Sequence, residues 1–379
     1  MGGKAPLHGT RAVVFAGLGP VPYAAMLLAD LGCAVTVVDR VTDMATSMPP
    51  ELDPRRRGQR SVVVDLRTAA GKVIGERLVR GSDVVVEGMR PGVMERLGLG
   101  PDRCFEVNPE IIYVRITGWG QTGPYAQMAG HDINYIGLTG ALLAMGTPGS
   151  PPPVPLNLLG DYAGGSLFAV VGVLAALLER ERSGRGQVVD CSIVESVMSL
   201  CTATIGMRDA GLWGERGSNA FDGSRPWYRT YETADGGYVA VGAIEPNFFR
   251  ELLTRLGLDP RDWLRETPDD IDRLGEKLES VFRSETRDYW TSVFEDSDAC
   301  VTPVLSFAEA FRHKQASYRQ SVITRQGRTE PAAVPRFQRT PACAGAASAS
   351  PGRDTQAVLA DLGFSRAEVD RLRVEGAVR

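Results

Sequence analysis

From residue 11 to residue 116 the chain alternates two apolar patterns. Short, nearly all-apolar runs read as strands: "RAVVFA" (11–16), "AVTVVD" (34–39), "SVVVDL" (61–66), "DVVVE" (83–87) and "IIYVRI" (111–116). Between most of them lie helical stretches such as "YAAMLLADLG" (23–32), which a glycine closes. Strands apolar on both faces and separated by helices predict a parallel sheet covered on both sides.

The pattern changes at 117–160, where "GWGQTGP" and "GTPGSPPPVP" replace periodicity with Gly and Pro. Irregular segments beyond strand ends are where α/β proteins place their sites. Two long helical segments are expected around 161–182 and 190–212. The apolar run "GGSLFAVVGVLAALL" (164–178) has 15 residues between Asp161 and Glu179-Arg180, which suits a buried helix better than a membrane span. "WYRTYETADGGYVAVGA" (227–243) reads as a hairpin around Asp235-Gly236-Gly237, and "VTPVLS" (301–306) as a further strand. Residues 324–353 are rich in Pro, Ala, Ser and Gly and read as a linker. Two short helices follow, the second opened by a Ser365/Glu368 capping box. The expected fold is α/β: a Rossmann-like large domain from 1–195, a linker helix at 196–225, a smaller α+β domain at 226–318, and a return segment at 319–379 rejoining the large domain.

Composition narrows the function classes. The 379 residues carry a net charge of −4, which gives no electrostatic case for nucleic acid. Lys stands only at 4, 72, 277 and 314, so 38 of the 42 basic residues are Arg, the side chain that grips phosphate bidentately. The short cluster "DPRRRGQR" (53–60) could in that way serve a phosphorylated small molecule. The six cysteines (33, 104, 191, 201, 300, 343) form no CxxC pair and no metal spacing. They read as thiols of a reducing cytosol, and "MGGKAPLHG" has no signal-peptide character, so the expected location is cytoplasmic without membrane attachment.

One stretch suggests a nucleotide. "AGLGPVP" (16–22) follows a strand and opens a helix, and Asp39 ends the next strand. The third glycine of a dinucleotide fingerprint is replaced by Pro22, however, which favours a plain tight turn over NAD binding. Arg40 after the second strand still suits a phosphate.

Three groups stand out as candidate chemistry: His131, Asp161 and Glu245. Each also has an ordinary reading. His131 can be a core histidine, Asp161 an N-cap of the long apolar helix, and Glu245-Pro246 a helix start. Local sequence leaves these alternatives open.

A resemblance bears on the choice. "GHDINY" (130–135), "PLNLLGDYAGGS" (155–166) and "GAIEP" (242–246) are similar to the α-methylacyl-CoA racemase branch of the family III CoA-transferase (CaiB/BaiF) superfamily. So are "EGMRPGVMERLGLGP" (87–101), "RITGWGQTGP" (115–124), "GRGQVVDCSIVES" (184–196), "SDACVTPVL" (297–305) and "DTQAVLADLGFS" (354–365). The resemblance implies that His131 and Asp161 are catalytic acid–base groups and that Glu245 partners the histidine. Asn157 takes the aspartate-supporting position, Arg40, Arg90 and Arg96 lie near CoA phosphates and adenine, and Gly130 and Tyr135 line the thioester pocket. Met89 departs from the tyrosine found in relatives. The implied assembly is an interlocked homodimer with the site completed across chains, and CoA enters only as part of an acyl-CoA substrate, without a metal or redox cofactor.

The implied chemistry is inversion of a stereocentre beside a thioester carbonyl. One base on each face suffices, and an imidazole titrates near neutral pH. Burial would raise the pKa of Asp161 and a helix N-terminus would lower it. The amides of that terminus are expected to bind the developing enolate oxygen. The nearest rival is a CoA-transferase in which Asp161 forms an acyl anhydride. A nucleotide-dependent oxidoreductase and a binding protein without chemistry are the others.

Overall fold

A computed structural model describes residues 3–41, 48–263, 265, 267–348 and 350–379. The chain divides into two compact units. One comprises 1–139, 155–200 and 320–379, the other 140–154 and 201–319.

The first unit is built on a six-stranded parallel sheet in the order β3-β2-β1-β4-β5-β6, with β1 Arg11–Phe15, β2 Ala34–Asp39, β3 Arg60–Val63, β4 Val84–Glu87, β5 Ile112–Thr117 and β6 Gln187–Ser192. The expected strands are β1 to β5. The sixth lies where a helix over 190–212 was expected. It pairs with β5 along its whole length, from Ile112↔Gln187 to Thr117↔Ser192, a partnership 75 residues away that no local window reveals. The helix therefore begins only at Ile193.

Helices cover both faces, as the apolar strands require. Helix α1 (Pro20–Asp30) packs on one side with the later helix of residues 168–183, and α2 (Ala69–Arg80) packs on the other with the C-terminal helices Thr355–Asp361 and Arg366–Val374. Ser365 and Glu368 close the anticipated capping box. The presumed linker 324–353 is not wholly irregular: Val322–Arg325 and Arg328–Pro331 pair as an antiparallel hairpin.

Three arginines of the cluster 53–60 are held by carboxylates of the first unit. Arg55 pairs with Asp53 at 2.7 Å, Arg56 with Asp39 at 2.5 Å and Arg57 with Asp30 at 2.5 Å. Arg60, more exposed, pairs with Asp361 at 2.9 Å.

The long apolar helix is only half buried. Its run over Leu158–Ser183 is long and apolar enough to cross a membrane, yet Ala169, Val170, Val173 and Ala176 lie in the core beside the sheet. Leu167, Val171, Leu174 and Leu178 stay exposed on the opposite side.

In the second unit β7 (Tyr228–Glu232), β8 (Tyr238–Gly242) and β9 (Val301–Pro303) form an antiparallel sheet in the order β7-β8-β9, including the expected hairpin. Phe282 stacks on Tyr231 at 4.9 Å and meets Trp290 edge-on, centring its core. The segment 196–225 is not one linker helix. It breaks at Cys201 between Ile193–Leu200 and Thr202–Asp209, and the polar, glycine-rich residues from Gly211 on form no helix. Residues 140–154, assigned to the large domain from sequence, group with this second unit.

Candidate active site

The C-terminal ends of β1, β4 and β5 lead into loops that line a cleft of about 490 Å³. Its walls carry Gly19, Arg90, Trp119, Gly130, His131, Tyr135 and Asp161, all from the first unit. The structure thus brings together five residues singled out from sequence: His131, Asp161, Arg90, Gly130 and Tyr135. Open parallel sheets offer such a crevice where strand connections diverge.

His131 precedes a short helix, α3 (Asp132–Gly137), in extended conformation, and its own backbone N–H donates to Asn134 Oδ1 at 3.0 Å. The residue is exposed and lines the cleft, so it is not a core histidine. Trp119 meets the Tyr135 ring edge-on at 4.8 Å, and the Tyr135 hydroxyl donates to the Gly130 carbonyl. Gly118 and Gly130 must both lack side chains, since a β-carbon at either would run into the Tyr135 ring.

Asp161 does not cap the long helix. It sits inside a π-helical segment, Leu158–Leu167, that precedes α4 (Phe168–Ser183), with Asn157 at the cap position. Such wide turns leave the first N–H groups without carbonyl partners inside the helix. That of Asp161 donates instead to Asp132 Oδ2 at 2.7 Å, so this amide is not free to bind an enolate oxygen. Asn157 Nδ2 reaches Asp161 Oδ2 at 3.4 Å. Arg55 Nη1 donates to the hydroxyl of the neighbouring Tyr162 at 3.3 Å.

Burial decides the opposition between desolvation and helix terminus. Asp161 is 9% exposed, and its pKa is pushed up to about 6, first by burial and then by the charge of Asp132. The Asn157 hydrogen bond, His131 and Arg55 oppose the rise. The carboxyl therefore becomes a base of useful strength near neutrality.

The stretch "AGLGPVP" has a different use from the one it suggests. Gly19 has φ 59° and faces the Asp161 carboxylate, while Pro20 packs against Gly165. Ser166 Oγ donates to the Pro20 carbonyl at 2.7 Å and lies 3.0 Å from the Asp161 carbonyl. The loop braces Asp161 where a dinucleotide fold would admit pyrophosphate.

A smaller cavity of about 240 Å³ is lined by Arg40, Asp65, Arg67 and Met89. Met89 also lines the larger cleft, so the two are neighbours. Arg96 is exposed on the short helix Val93–Arg96 and lines neither. Glu87, two residues before Met89, is fully buried, accepts from Met89 N–H at 2.6 Å and pairs with Arg115 at 2.8 Å. Arg115 also pairs with Glu95 at 2.8 Å.

Glu245 belongs to the second unit. It is exposed at the N-terminus of the helix Pro246–Arg255, with Pro246 at the first helical position. Sequence reading weighed Asp132 as the neighbour of His131 and set it aside, and it passed over Gly19, Trp119 and Arg67. The signal for Asp132 was its place beside His131, and that for Gly19 was the incomplete fingerprint.

A Rossmann-order sheet with an imidazole and a buried, weakly acidic carboxyl in one cleft defines an α/β enzyme equipped for proton transfer. The chain belongs to the CoA-transferase family III, which it matches over residues 7–355. It is 41% identical to the alpha-methylacyl-CoA racemase of Mus musculus, across 98% of this chain and 97% of that protein. Identity to the alpha-methylacyl-CoA racemase of Homo sapiens is 40%, across 97% and 96%. Its structure is similar to that of a CaiB/BaiF family protein from Brucella suis, with a TM-score of 0.82 and 25% identity, covering 95% of this chain and all of the other.

Proposed function

We propose that the protein is an isomerase that racemises 2-methylacyl-CoA thioesters by proton transfer between His131 and Asp161. The observation that carries the reading is the shared cleft, whose lining holds both the His131 imidazole and a carboxyl raised to about 6. One base removes the proton on Cα, and the C–H electron pair moves into a Cα–C double bond as the thioester carbonyl becomes an enolate oxygen. The other group then returns a proton to the opposite face, the enolate collapses to the thioester, and the stereocentre is inverted. The two residues finish with exchanged protonation states and serve the opposite enantiomer next.

The likeness to two curated racemases supports the same reading over CoA transfer through an Asp161 anhydride. The acyl-CoA is the only small molecule required. Following the resemblance, Glu245 orients the His131 imidazole, Arg40 and Arg90 hold the coenzyme, and the enzyme works in the cytoplasm as an interlocked homodimer. The exposed apolar face of α4 offers surface for such an assembly.

The test is incubation of each enantiomer of a 2-methylacyl-CoA in D2O, with mass and chiral analysis. Deuterium at Cα with loss of optical purity from both enantiomers is the expected outcome. Acyl exchange onto a free acid, with no deuterium at Cα, would establish the transferase instead.

A further inference from the structure

Asp132 is buried, 5% exposed, and its two carboxylate oxygens have unequal surroundings. Oδ2 accepts the Asp161 backbone N–H across 29 residues of sequence and lies so close to Gly160 that a β-carbon there would stand 2.5 Å away. Among the described residues, Oδ1 is buried with no hydrogen-bond partner. Leaving a carboxylate oxygen unpaired in the interior is costly. Accepting the Asp161 N–H does not by itself require a charge, because a neutral amide oxygen could accept the same N–H. What the carboxylate adds is a charge beside Asp161.

We propose that Asp132 is a positioning residue for the proton transfer: it ties down the turn that presents Asp161 and, as an anion, keeps the Asp161 carboxyl basic. The inference rests on the proton-transfer reading of Asp161. Burial also raises that carboxyl, and the Asp132 charge acts in the same direction. Other groups facing Asp161 are His131 and Tyr135 from the 130–137 segment, and Arg55 from the Pro54–Arg56 turn. Asn157 reaches the carboxyl itself, and elsewhere the segment meets Pro20 from α1, Ile193 and Val197 from α5 (Ile193–Leu200), Tyr23 against Tyr162, and the Cys191 thiol at the Gly165 carbonyl. Asp132 is therefore the negative side chain poised to act on Asp161, and its own pKa is raised by burial against the pull of the Asp161 and Gly160 amides.

The experiment titrates the Asp161 carboxyl by 13C NMR in the full-length enzyme, wild type and Asp132→Asn, and measures the pH profile of α-proton exchange for both. The asparagine keeps an acceptor for the Asp161 N–H while removing the charge. The expected result is a midpoint lowered by roughly one pH unit, with the acid limb of kcat/KM moving down in step. An unchanged midpoint and limb with reduced activity would leave Asp132 a purely structural cap and overturn the proposal. The wild type supplies a check that needs no variant: the Asp132 carboxyl, followed in the same spectra, should already be ionised where Asp161 titrates. An Asp132 still protonated at the Asp161 midpoint overturns the proposal. If wild type shows no exchange, the proton-transfer reading fails separately, and the carboxyl titration still decides the pairing.

Discussion

Gly19 and Asp161 are in contact through the absence of a side chain: a β-carbon on Gly19 would stand 3.0 Å from Asp161 Oδ2 and 3.1 Å from its Cγ. The φ of 59° at Gly19 adds backbone strain for any other residue. Gly19→Ala is expected to lower kcat/KM by roughly 100-fold, the scale of a displaced catalytic group. Stability should fall by on the order of 1 kcal/mol. Exchange kinetics and a melting curve on the same preparation check both, and an unimpaired variant would mean that the carboxylate is not braced by this loop.

His131 and Asp161, proposed as the two bases, should fail as a unit. His131→Ala and Asp161→Asn are each expected to reduce racemisation by about 10²–10⁴-fold, and the double variant should be little worse than either single one. Chiral assay of the three variants against wild type measures this, and multiplicative losses would argue for independent roles.

Asp161 also makes a stability prediction with a defined sign. Its carboxyl ionises less readily in the fold than in the unfolded chain, because burial and Asp132 disfavour the anion. The folded state therefore binds the proton more tightly, and stability is lost as pH rises from the unfolded value of 3.8 through about 6. Asp161→Asn should leave stability near wild type below pH 4 and raise it above pH 6. The gain is on the order of 2 kcal/mol once screening by the open cleft is allowed for. Urea midpoints at pH 4 and pH 7 decide it, and a gain of equal size at both would remove ionisation as the cause.

Arg115 shields a fully buried carboxylate. Burial pushes the pKa of Glu87 up, and the Met89 amide and Arg115 pull it back. Arg115→Met should cost roughly 3–5 kcal/mol, because it leaves Glu87 uncompensated. Glu87→Gln in the Arg115→Met background should recover a large part of that loss. A denaturant series on the two proteins tests the pairing.

The cavity beside Met89 predicts a kinetic signature. Arg40 and Arg67 line it away from the bases, so Arg40→Ala and Arg67→Ala should raise KM for an acyl-CoA about 10-fold with kcat nearly unchanged. A drop in kcat alone would put these arginines in the chemistry instead.

The sequence by itself determined the layered α/β build, because strands apolar on both faces are stable only under helices. It also determined the hairpin around Asp235 and the C-terminal capping box, which rest on residues adjacent in the chain. The motif carrying His131 and the one carrying Asp161 were legible as well. Pairings between distant segments were not. The edge strand β6 exists because β5 offers it six partners, and Asp132 matters because it meets the Asp161 amide. Gly19, likewise, is required only because a carboxylate 142 residues later needs its space. The strength of Asp161 as a base was the clearest case: burial and helix terminus pull it in opposite directions, and only the packed interior sets which prevails. Periodicity reports what one segment needs to bury, whereas desolvation and charge at a site depend on which other segments arrive there.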